Sequence, residues 1–228
     1  MHLKRTEAPV FWPMERKTAR FAVAPLPGAH AKRSCIPLGI VLRDVLDYAE
    51  TLREAKHILR QGQVRVDSTV RRDHRLPVGL MDILTVGDET YRMLPDRKGL
   101  RLQKTSGEDA KLKLLKILDK TYTRNGVQLN LHDGRNILVP RDEYKTKDTV
   151  VFDLEAKSIK SVLKLKKGAA IMVTNGNKRG MIGKVVERVV TRTPQPNTVI
   201  VEADSETIPI PEHYIFVIGD GKPAVTIQ

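Results

Sequence analysis

The segment TLREAKHILRQGQVRVDSTVRR, residues 51–72, constrains the fold more than any other part of the chain. Thr51 and Glu54 stand three residues apart, as in a capping box, which pairs the free N–H groups at a helix start. Apolar side chains follow at helical spacing on one face, namely Leu52, Ala55, Ile58 and Leu59. Gly62 supplies the left-handed backbone that commonly ends a helix. We therefore predict a short helix that begins at Thr51 and stops before Gly62.

A short strand and a turn follow the glycine. The sequence QVRV alternates, which predicts that Val64 and Val66 point inward and Arg65 outward. Asp67 and Ser68 then turn the chain. The usual tight hairpin turn has glycine in the second place because that place needs a positive φ. Since serine tolerates this φ less well, we expect a different turn type. The later sequence LMDILTVG predicts a further strand.

A first helix is predicted just upstream, in PLGIVLRDVLDYA. Proline is well suited to the first position of a helix, and Pro37 stands there. Apolar residues recur after it at helical spacing, namely Leu38, Val41, Leu42, Val45 and Ala49. Two helices and two or more short strands thus predict a small mixed module.

This module is strongly basic. Residues 51–72 contain six Arg or Lys side chains and two acidic ones. Such an excess in one small motif is unfavourable for stability, because like charges repel each other. We expect the cations to form one phosphate-binding surface, because arginine binds phosphate in bidentate fashion and cations attract the RNA backbone. The candidates are Arg53, Lys56, Arg60, Arg65, Arg71, Arg72 and, just beyond the segment, Arg75.

The whole chain has the same excess of basic over acidic residues. It has 40 Lys and Arg against 27 Asp and Glu, and its net charge is +13. The excess recurs in four successive segments and reverses only after residue 200. It favours a nucleic acid or another anionic partner, although a solvated basic surface is the plainer alternative. Aromatic residues make up only 4% of the chain, so we expect RNA shape and backbone contacts to dominate over base stacking.

Several classes of protein are disfavoured. No apolar run approaches the ~20 residues of a membrane span, and MHLKRTEAPVFW lacks the apolar core of a signal peptide. A single cysteine, Cys35, excludes an intrachain disulfide and agrees with a cytoplasmic location. The six histidines have no metal-ligand spacing. We therefore expect no metal, no cofactor, no membrane and no small-molecule substrate.

Residues 1–36 form a basic extension rich in proline. No long helical period survives in them, so we expect the extension to become ordered against a partner. Phe11, Trp12 and Phe21 suggest a surface to pack on. The candidate RNA contacts here are Lys4, Arg5, Lys17, Arg20, Lys32 and Arg33.

The second half of the chain changes to an apolar period of two. VQLNLHDGRNILV alternates Val127, Leu129 and Leu131, turns at Asp133-Gly134 and returns, which predicts a hairpin. We interpret Asp133 as a turn residue rather than a catalytic one. Further on, KKGAAIMVTNGNKRGMIGKVVERV, residues 166–189, places Lys178, Arg179 and Lys184 around a glycine-rich loop. An ordinary glycine-turned hairpin is the plainer interpretation of this stretch.

These patterns resemble known RNA-binding modules. The helix pair with GQVRVDS and VGLMDILTV resembles the S-four RNA-binding domain, and residues 166–189 resemble a KOW motif, whose loop cations contact RNA. In order, PLPGAH, PLGIVLRDVL, VGLMDIL, LNLHDGRN and HYIFVIGDGKPAVTI are similar to the archaeal and eukaryotic small-subunit ribosomal protein family S-four-e. The shorter C-terminus is typical of archaeal members.

The resemblance implies an α+β protein with four segments. They are a basic extension (1–36), a small α/β S-four RNA-binding domain (37–105), a β-rich central domain (106–167) and an SH3-like KOW domain with an acidic tail (168–228). It further implies a structural constituent of the small ribosomal subunit, without catalytic activity, that binds small-subunit ribosomal RNA beside neighbouring ribosomal proteins and contributes to subunit assembly and translation.

An RNA-modifying enzyme or another RNA-binding factor delivered by an S-four domain is the alternative. A pseudouridine synthase needs its nucleophilic Asp in a Gly-Arg-Leu-Asp context. In HDGRN, Asp133 precedes the glycine and Asn136 follows Arg135, so the spacing is wrong. A transcription factor that recruits through a KOW motif would leave the S-four pattern unexplained.

Overall fold

A computed structural model describes residues 2–203 and 206–227 of the chain. It divides into two compact units. The first unit contains Leu94 and the described residues before it, together with Lys98–Ala110. The second contains Pro95–Arg97 and the described residues from Lys111 onward. The described part is mostly β-sheet with few helices, and it belongs to the α+β class.

The first unit combines a short helical region with three sheets. In chain order its elements are β1 (Leu3–Lys4), β2 (Phe21–Ala22), β3 (Cys35–Pro37), α1 (Leu38–Ile40), a π-helix (Val41–Val45), α2 (Leu52–Arg60), β4 (Val64–Val66), β5 (Thr69–Val70), β6 (Pro77–Gly79), β7 (Ile83–Val86), β8 (Glu89–Asp96) and β9 (Gly99–Lys104). The pairs β1-β2 and β3-β6 form two-stranded sheets, and the third sheet has the order β5-β4-β7-β8-β9.

Helix α2 begins and ends as the sequence predicts. The Thr51 hydroxyl accepts a hydrogen bond from the backbone N–H of Glu54 at 3.2 Å, and the Glu54 carboxylate accepts from the N–H of Thr51 at 3.4 Å. The capping box is therefore confirmed. Gly62 has a φ of +76°, which is the left-handed conformation expected after the helix. Ala55 and Leu59 are fully buried and fix the helix to the core.

The first helix is shorter than predicted. It starts directly after Pro37, but the π-helix ends at Val45, and Asp47 has a φ of +54°. The N–H of Leu46 donates to the carbonyl of Val41, five residues back, so the last turn is wide. Ala49 is buried outside the helix, although its spacing predicted a helical position.

The turn at Asp67-Ser68 differs from our expectation. Both residues have positive φ, +50° and +61°, and Val66 pairs with Thr69 across the two-residue loop. This is the usual twist of a tight hairpin, so the expectation of another turn type was wrong. Asp67 is held by Ile83, because its N–H donates to the Ile83 carbonyl at 2.8 Å and its carboxylate accepts from the Ile83 N–H at 3.1 Å. These two bonds offset the backbone strain at Asp67 and Ser68.

The N-terminal extension packs on this chain's own core. Trp12 is buried, and its indole N–H donates to the Cys35 carbonyl at 2.7 Å. Leu3, Ala8 and Val23 lie in the same apolar cluster as the buried residues of α1 and α2. Residues 1–36 therefore have a folded surface to order against within the first unit itself.

The second unit consists of two five-stranded sheets. In chain order its strands are β10 (Leu112–Thr123), β11 (Gly126–Leu131), β12 (Asn136–Val139), β13 (Thr149–Asp153), β14 (Ser158–Leu163), β15 (Ala170–Val173), β16 (Ile182–Val189), β17 (Thr198–Ala203), β18 (Glu206–Pro211) and β19 (Ile215–Gly219). The sheet orders are β12-β11-β10-β13-β14 and β18-β17-β16-β15-β19. The long strand β10 pairs with β13 through its first half and with β11 through its second half.

The predicted hairpin is confirmed in β11 and β12. Leu129 pairs with Ile137, and Val127, Leu129 and Leu131 are buried as the alternation requires. Asp133 lies in the turn, where its carboxylate accepts from the N–H of Arg135 at 3.1 Å. It also forms a buried ion pair with Lys113, at 3.1 Å. Asp133 thus joins the turn to β10 as well as shaping it.

Candidate nucleic-acid interface

Helix α2 carries three cations on its outer side. Arg53, Lys56 and Arg60 are three and four residues apart, so they lie along one face of the helix. The opposite face contains the buried Ala55 and Leu59. The buried face and the capping box hold the helix in one orientation. The basic face therefore points to solvent.

The loop after β5 brings further cations to this face. Burial lowers the pKa of His74, and the positive charge of Lys56 lowers it further. A Cβ atom built on Gly62 would lie 3.9 Å from the Arg72 guanidinium, so Arg72 lies beside the end of α2. A cavity of about 570 Å³ lies next to Arg71 and Arg72. Arg71 and Arg72 thus share one cavity near the end of α2, and the convergence of all these cations on one surface stays a prediction.

These cations are not paired with carboxylates of this chain. Within residues 2–203 and 206–227, no ion pair involves Arg53, Lys56, Arg60, Arg65, Arg71 or Arg72. All of them except Lys56 are exposed, and Lys56 is half-buried. Arg65 points away from the buried Val64 and Val66, as predicted for β4. The guanidinium and ammonium groups of this surface remain available to phosphates.

The candidates in the extension divide into free and bound side chains. Lys4, Lys17, Lys32 and Arg33 are exposed, and Arg20 lies 5.3 Å from the ring centre of Phe21. Arg5 is instead held by the extension, because its guanidinium donates to the carbonyls of Phe21 and Glu15 and to the hydroxyl of Thr18. Arg75 is likewise oriented, since its Nε donates to the Ala24 carbonyl at 3.0 Å.

The second unit places the other candidates in and beside one loop. Strands β15 and β16 are antiparallel, with Ala170 opposite Lys184, and residues 174–181 connect them. Lys178 is exposed at the tip of this loop. Arg179 is half-buried, and it donates to the carbonyl of Thr174 at 3.0 Å and to the side chain of Asn175 at 2.8 Å. Arg179 therefore stabilises the loop, while Lys178 and Lys184 face solvent.

Neither a metal cluster nor a membrane-spanning helix is found in the described parts of the chain. No group of three His, Cys, Asp or Glu side chains there is arranged to hold a metal ion. No helix among the same residues has the length and apolar character needed to cross a bilayer.

The chain is similar to known ribosomal proteins over nearly its whole length. The model of the ribosomal family S4e matches residues 87–159, and the RS4NT (NUC023) domain matches residues 1–33. Small ribosomal subunit protein eS4 of Methanocaldococcus jannaschii is 41% identical over 239 residues, which cover 99% of this chain and 97% of that protein. The protein of the same name from Archaeoglobus fulgidus is 42% identical and is covered to 98%. The chain belongs to the ribosomal S4e family.

A solved structure supports this assignment to the S4e family. The crystal structure of 30S ribosomal protein S4e from Thermoplasma acidophilum matches with a TM-score of 0.74 at 26% identity, and covers 86% of this chain and 99% of that one. The family resemblance found in the sequence is confirmed, and so is the expectation that the chain is not an enzyme, since its relatives are named as ribosomal proteins.

Some basic residues of this S4e chain do not reach the surface. Among the described residues, the buried cations are Arg92, Lys113 and Lys116. A count of charges in the sequence does not separate them from exposed cations. These three residues lie in runs of consecutive buried residues, Arg92 beside Met93 and Leu94 in β8 and the two lysines in the LKLLKI run of β10, so no period-two pattern marked them as inward. Sequence reasoning also missed Arg43, which stands in the apolar helical run and lines two cavities with the extension.

Proposed function

We propose that the protein is a structural constituent of the small ribosomal subunit in the cytoplasm, where it binds small-subunit ribosomal RNA and contacts neighbouring ribosomal proteins. Its part in subunit assembly and translation is to position RNA, and it performs no chemical step. The relatives that carry the name small ribosomal subunit protein eS4 match over nearly their whole length, which supports this function.

The binding surface that we propose is the basic face of α2 with the adjoining β4 and the loop 71–75. The observation that carries the proposal is the unpaired state of Arg53, Lys56 and Arg60 on one fixed helix face. Cations without intramolecular carboxylates give up few interactions when they bind phosphate. Their binding to RNA releases counterions, which makes the affinity depend steeply on salt.

We further propose that the finer organisation follows the family resemblance. Residues 37–105 form the S-four RNA-binding domain, preceded by the extension 1–36, and residues 106–167 form the central domain. Residues 168–228 form an SH3-like KOW domain, in which Lys178 and Lys184 contact RNA. The five-stranded sheet that contains β15 and β16, and its apolar cluster around Ile171 and Val201, support the last assignment.

Charge-reversal substitutions test the proposed RNA-binding surface. Arg60→Glu and Arg65→Glu should each weaken binding to a small-subunit ribosomal RNA fragment more than Lys222→Glu does, as measured by filter binding at constant salt. Lys222 is a suitable control, because it is also an exposed cation but lies in the second unit. Equal effects of the three substitutions would show that net charge, rather than the α2 face, determines binding.

The enzyme alternative receives no support from the relatives, which are named as ribosomal proteins. Its test is direct. Base isomerisation or methyl transfer on RNA by the purified protein would favour that alternative.

A further inference from the structure

A small basic cavity lies between the extension and the helical region of the first unit. Its volume is about 260 Å³, and its lining includes His2, Arg5, Phe21, Arg43, His74 and Arg75. No carboxylate is among the residues that line it in the described structure. Arg43 and His74 have carboxylate partners beside the cavity, Asp44 and Asp73, so its positive charge rests chiefly on Arg5 and Arg75. The cavity has an aromatic edge and adjoins the loop 71–75.

Each of the three arginines is held in place and keeps free donors. Arg5 donates from Nε and Nη1, Arg43 from Nε and Nη2 to Asp44, and Arg75 from Nε to the Ala24 carbonyl. Their remaining guanidinium nitrogens have no acceptor within residues 2–203 and 206–227. Oriented guanidinium groups bind a phosphate with little further loss of side-chain entropy.

The aromatic edge of the cavity consists of a phenylalanine ring that is only partly covered by its neighbours. Phe21 lies in the two-residue strand β2 with 46% of its surface exposed, in a chain with only four phenylalanines. The ring of His2 lies 5.2 Å from it, tilted by 40°. Exposed aromatic rings are the groups on which unpaired RNA bases stack.

The size of the cavity limits what can enter. About 260 Å³ is below the ~300–1,000 Å³ of sites for drug-sized ligands. A base-paired helix cannot enter such a space, whereas part of an extruded nucleotide, its base or its phosphate, can. A neighbouring cavity of about 680 Å³ shares Arg5 and Arg43 but also contains four carboxylates, which repel phosphate, namely Glu15, Asp44, Asp47 and Glu50. The phosphate is therefore expected on the side of Arg75.

We propose that this cavity binds one unpaired nucleotide of ribosomal RNA, with its base against Phe21 and its phosphate on Arg5 and Arg75. The proposal rests on the proposed function, because it names the part of the RNA that the extension holds. It gives the extension a role in recognition of RNA structure, whereas the α2 face recognises the backbone of a folded region.

The first experiment uses the full chain and a simple probe. Adenosine 5′-monophosphate, inorganic phosphate and adenosine are titrated separately into ¹⁵N-labelled protein, and the amide shifts of Phe21, His74 and Arg75 are followed by NMR. The nucleotide should shift these amides saturably and bind more tightly than phosphate or adenosine. Arg75→Gln should weaken nucleotide binding by about tenfold, while Arg124→Gln, at an exposed site in the second unit, should not. Unchanged amide shifts, or equal effects of the two substitutions, would overturn the proposal.

The second experiment uses an RNA fragment of the small subunit. Phe21→Ala should weaken binding roughly 5- to 160-fold, the range expected for the loss of one base–aromatic stack. The salt dependence should stay unchanged because no phosphate contact is lost. Tyr122→Ala, at a ring with 70% exposure in the second unit, is the matched control.

A photoreactive phenylalanine at position 21 should crosslink to one unpaired nucleotide. If Phe21→Ala leaves the affinity unchanged while substitutions on the α2 face reduce it, the cavity proposal fails and the proposed function stands. If substitutions on the α2 face have no effect, the proposed RNA-binding surface fails instead.

Discussion

Neutralising the outer face of α2 tests whether three side chains there contact phosphates. The variant Arg53→Gln, Lys56→Gln, Arg60→Gln removes three charges and keeps long side chains with good helix propensity. None of the three side chains has an ion-pair partner in the described structure, so the substitutions leave no carboxylate unpaired. The fold of the first unit should therefore survive, which circular dichroism and urea unfolding can verify.

The expected loss of RNA affinity follows from counterion release. Each phosphate contact contributes about 0.7 to 0.9 to the slope of log K against log salt concentration. Three lost contacts should lower the magnitude of this slope by about 2.1 to 2.7. At 0.1 M salt the same relation gives a loss of affinity of about 130- to 500-fold.

The assay is filter binding or fluorescence anisotropy with a small-subunit ribosomal RNA fragment at several salt concentrations. The matched control is Lys157→Gln, Lys160→Gln, Lys164→Gln, which removes three exposed lysine charges from the second unit. The control should change the slope little. If both variants change the slope equally, the total charge of the protein determines binding, and the assignment of the α2 face is refuted.

Three further substitutions test the structure. Thr51→Ala should lower the free energy of unfolding by about 1 kcal/mol, because the helix loses its N-terminal cap. Urea unfolding with α2 helicity as the signal measures this change. An unchanged free energy of unfolding would show that the cap is dispensable. Asp133→Asn should cost about 3–5 kcal/mol, because it removes the carboxylate charge from the buried ion pair with Lys113; replacing both residues with apolar ones should recover much of that loss. The pKa of Lys116 is lowered by burial to about 8. The unfolded state therefore binds this proton more tightly, and stability should rise between about pH 8 and 10.5, by up to about 3 kcal/mol. Lys116→Met should remove that rise, and an unchanged pH profile would contradict it.

Two hydrogen bonds explain why the buried Lys116 ammonium is tolerated at neutral pH. Its Nζ donates to the carbonyls of Ile215 at 2.5 Å and His213 at 3.1 Å. These bonds join β10 to the start of β19 within the second unit. The side chain thus contributes to the fold of that unit, and the net charge of the chain overstates its RNA-binding surface.

Local patterns determined much of this fold in advance. Helix α2, its capping box, its end at Gly62 and the hairpin of β11 and β12 all follow from interactions between residues close in sequence. The basic face of α2 follows too, because helical spacing alone puts Arg53, Lys56 and Arg60 on one side. For these elements the physical cause lies within a few residues, so the sequence contains it.

Tertiary structure decided the rest. The Asp67-Ser68 turn adopts positive φ at both residues because Ile83, distant in sequence, binds Asp67 on two sides. The burial of Lys113 is matched by Asp133, which arrives from the turn between β11 and β12. The basic cavity exists only because Arg5, Arg43 and Arg75 come from three separate segments. The sequence alone predicted the family and the cationic helix face. Which cations are buried, and which meet around one cavity, depends on contacts between distant residues that no local pattern encodes.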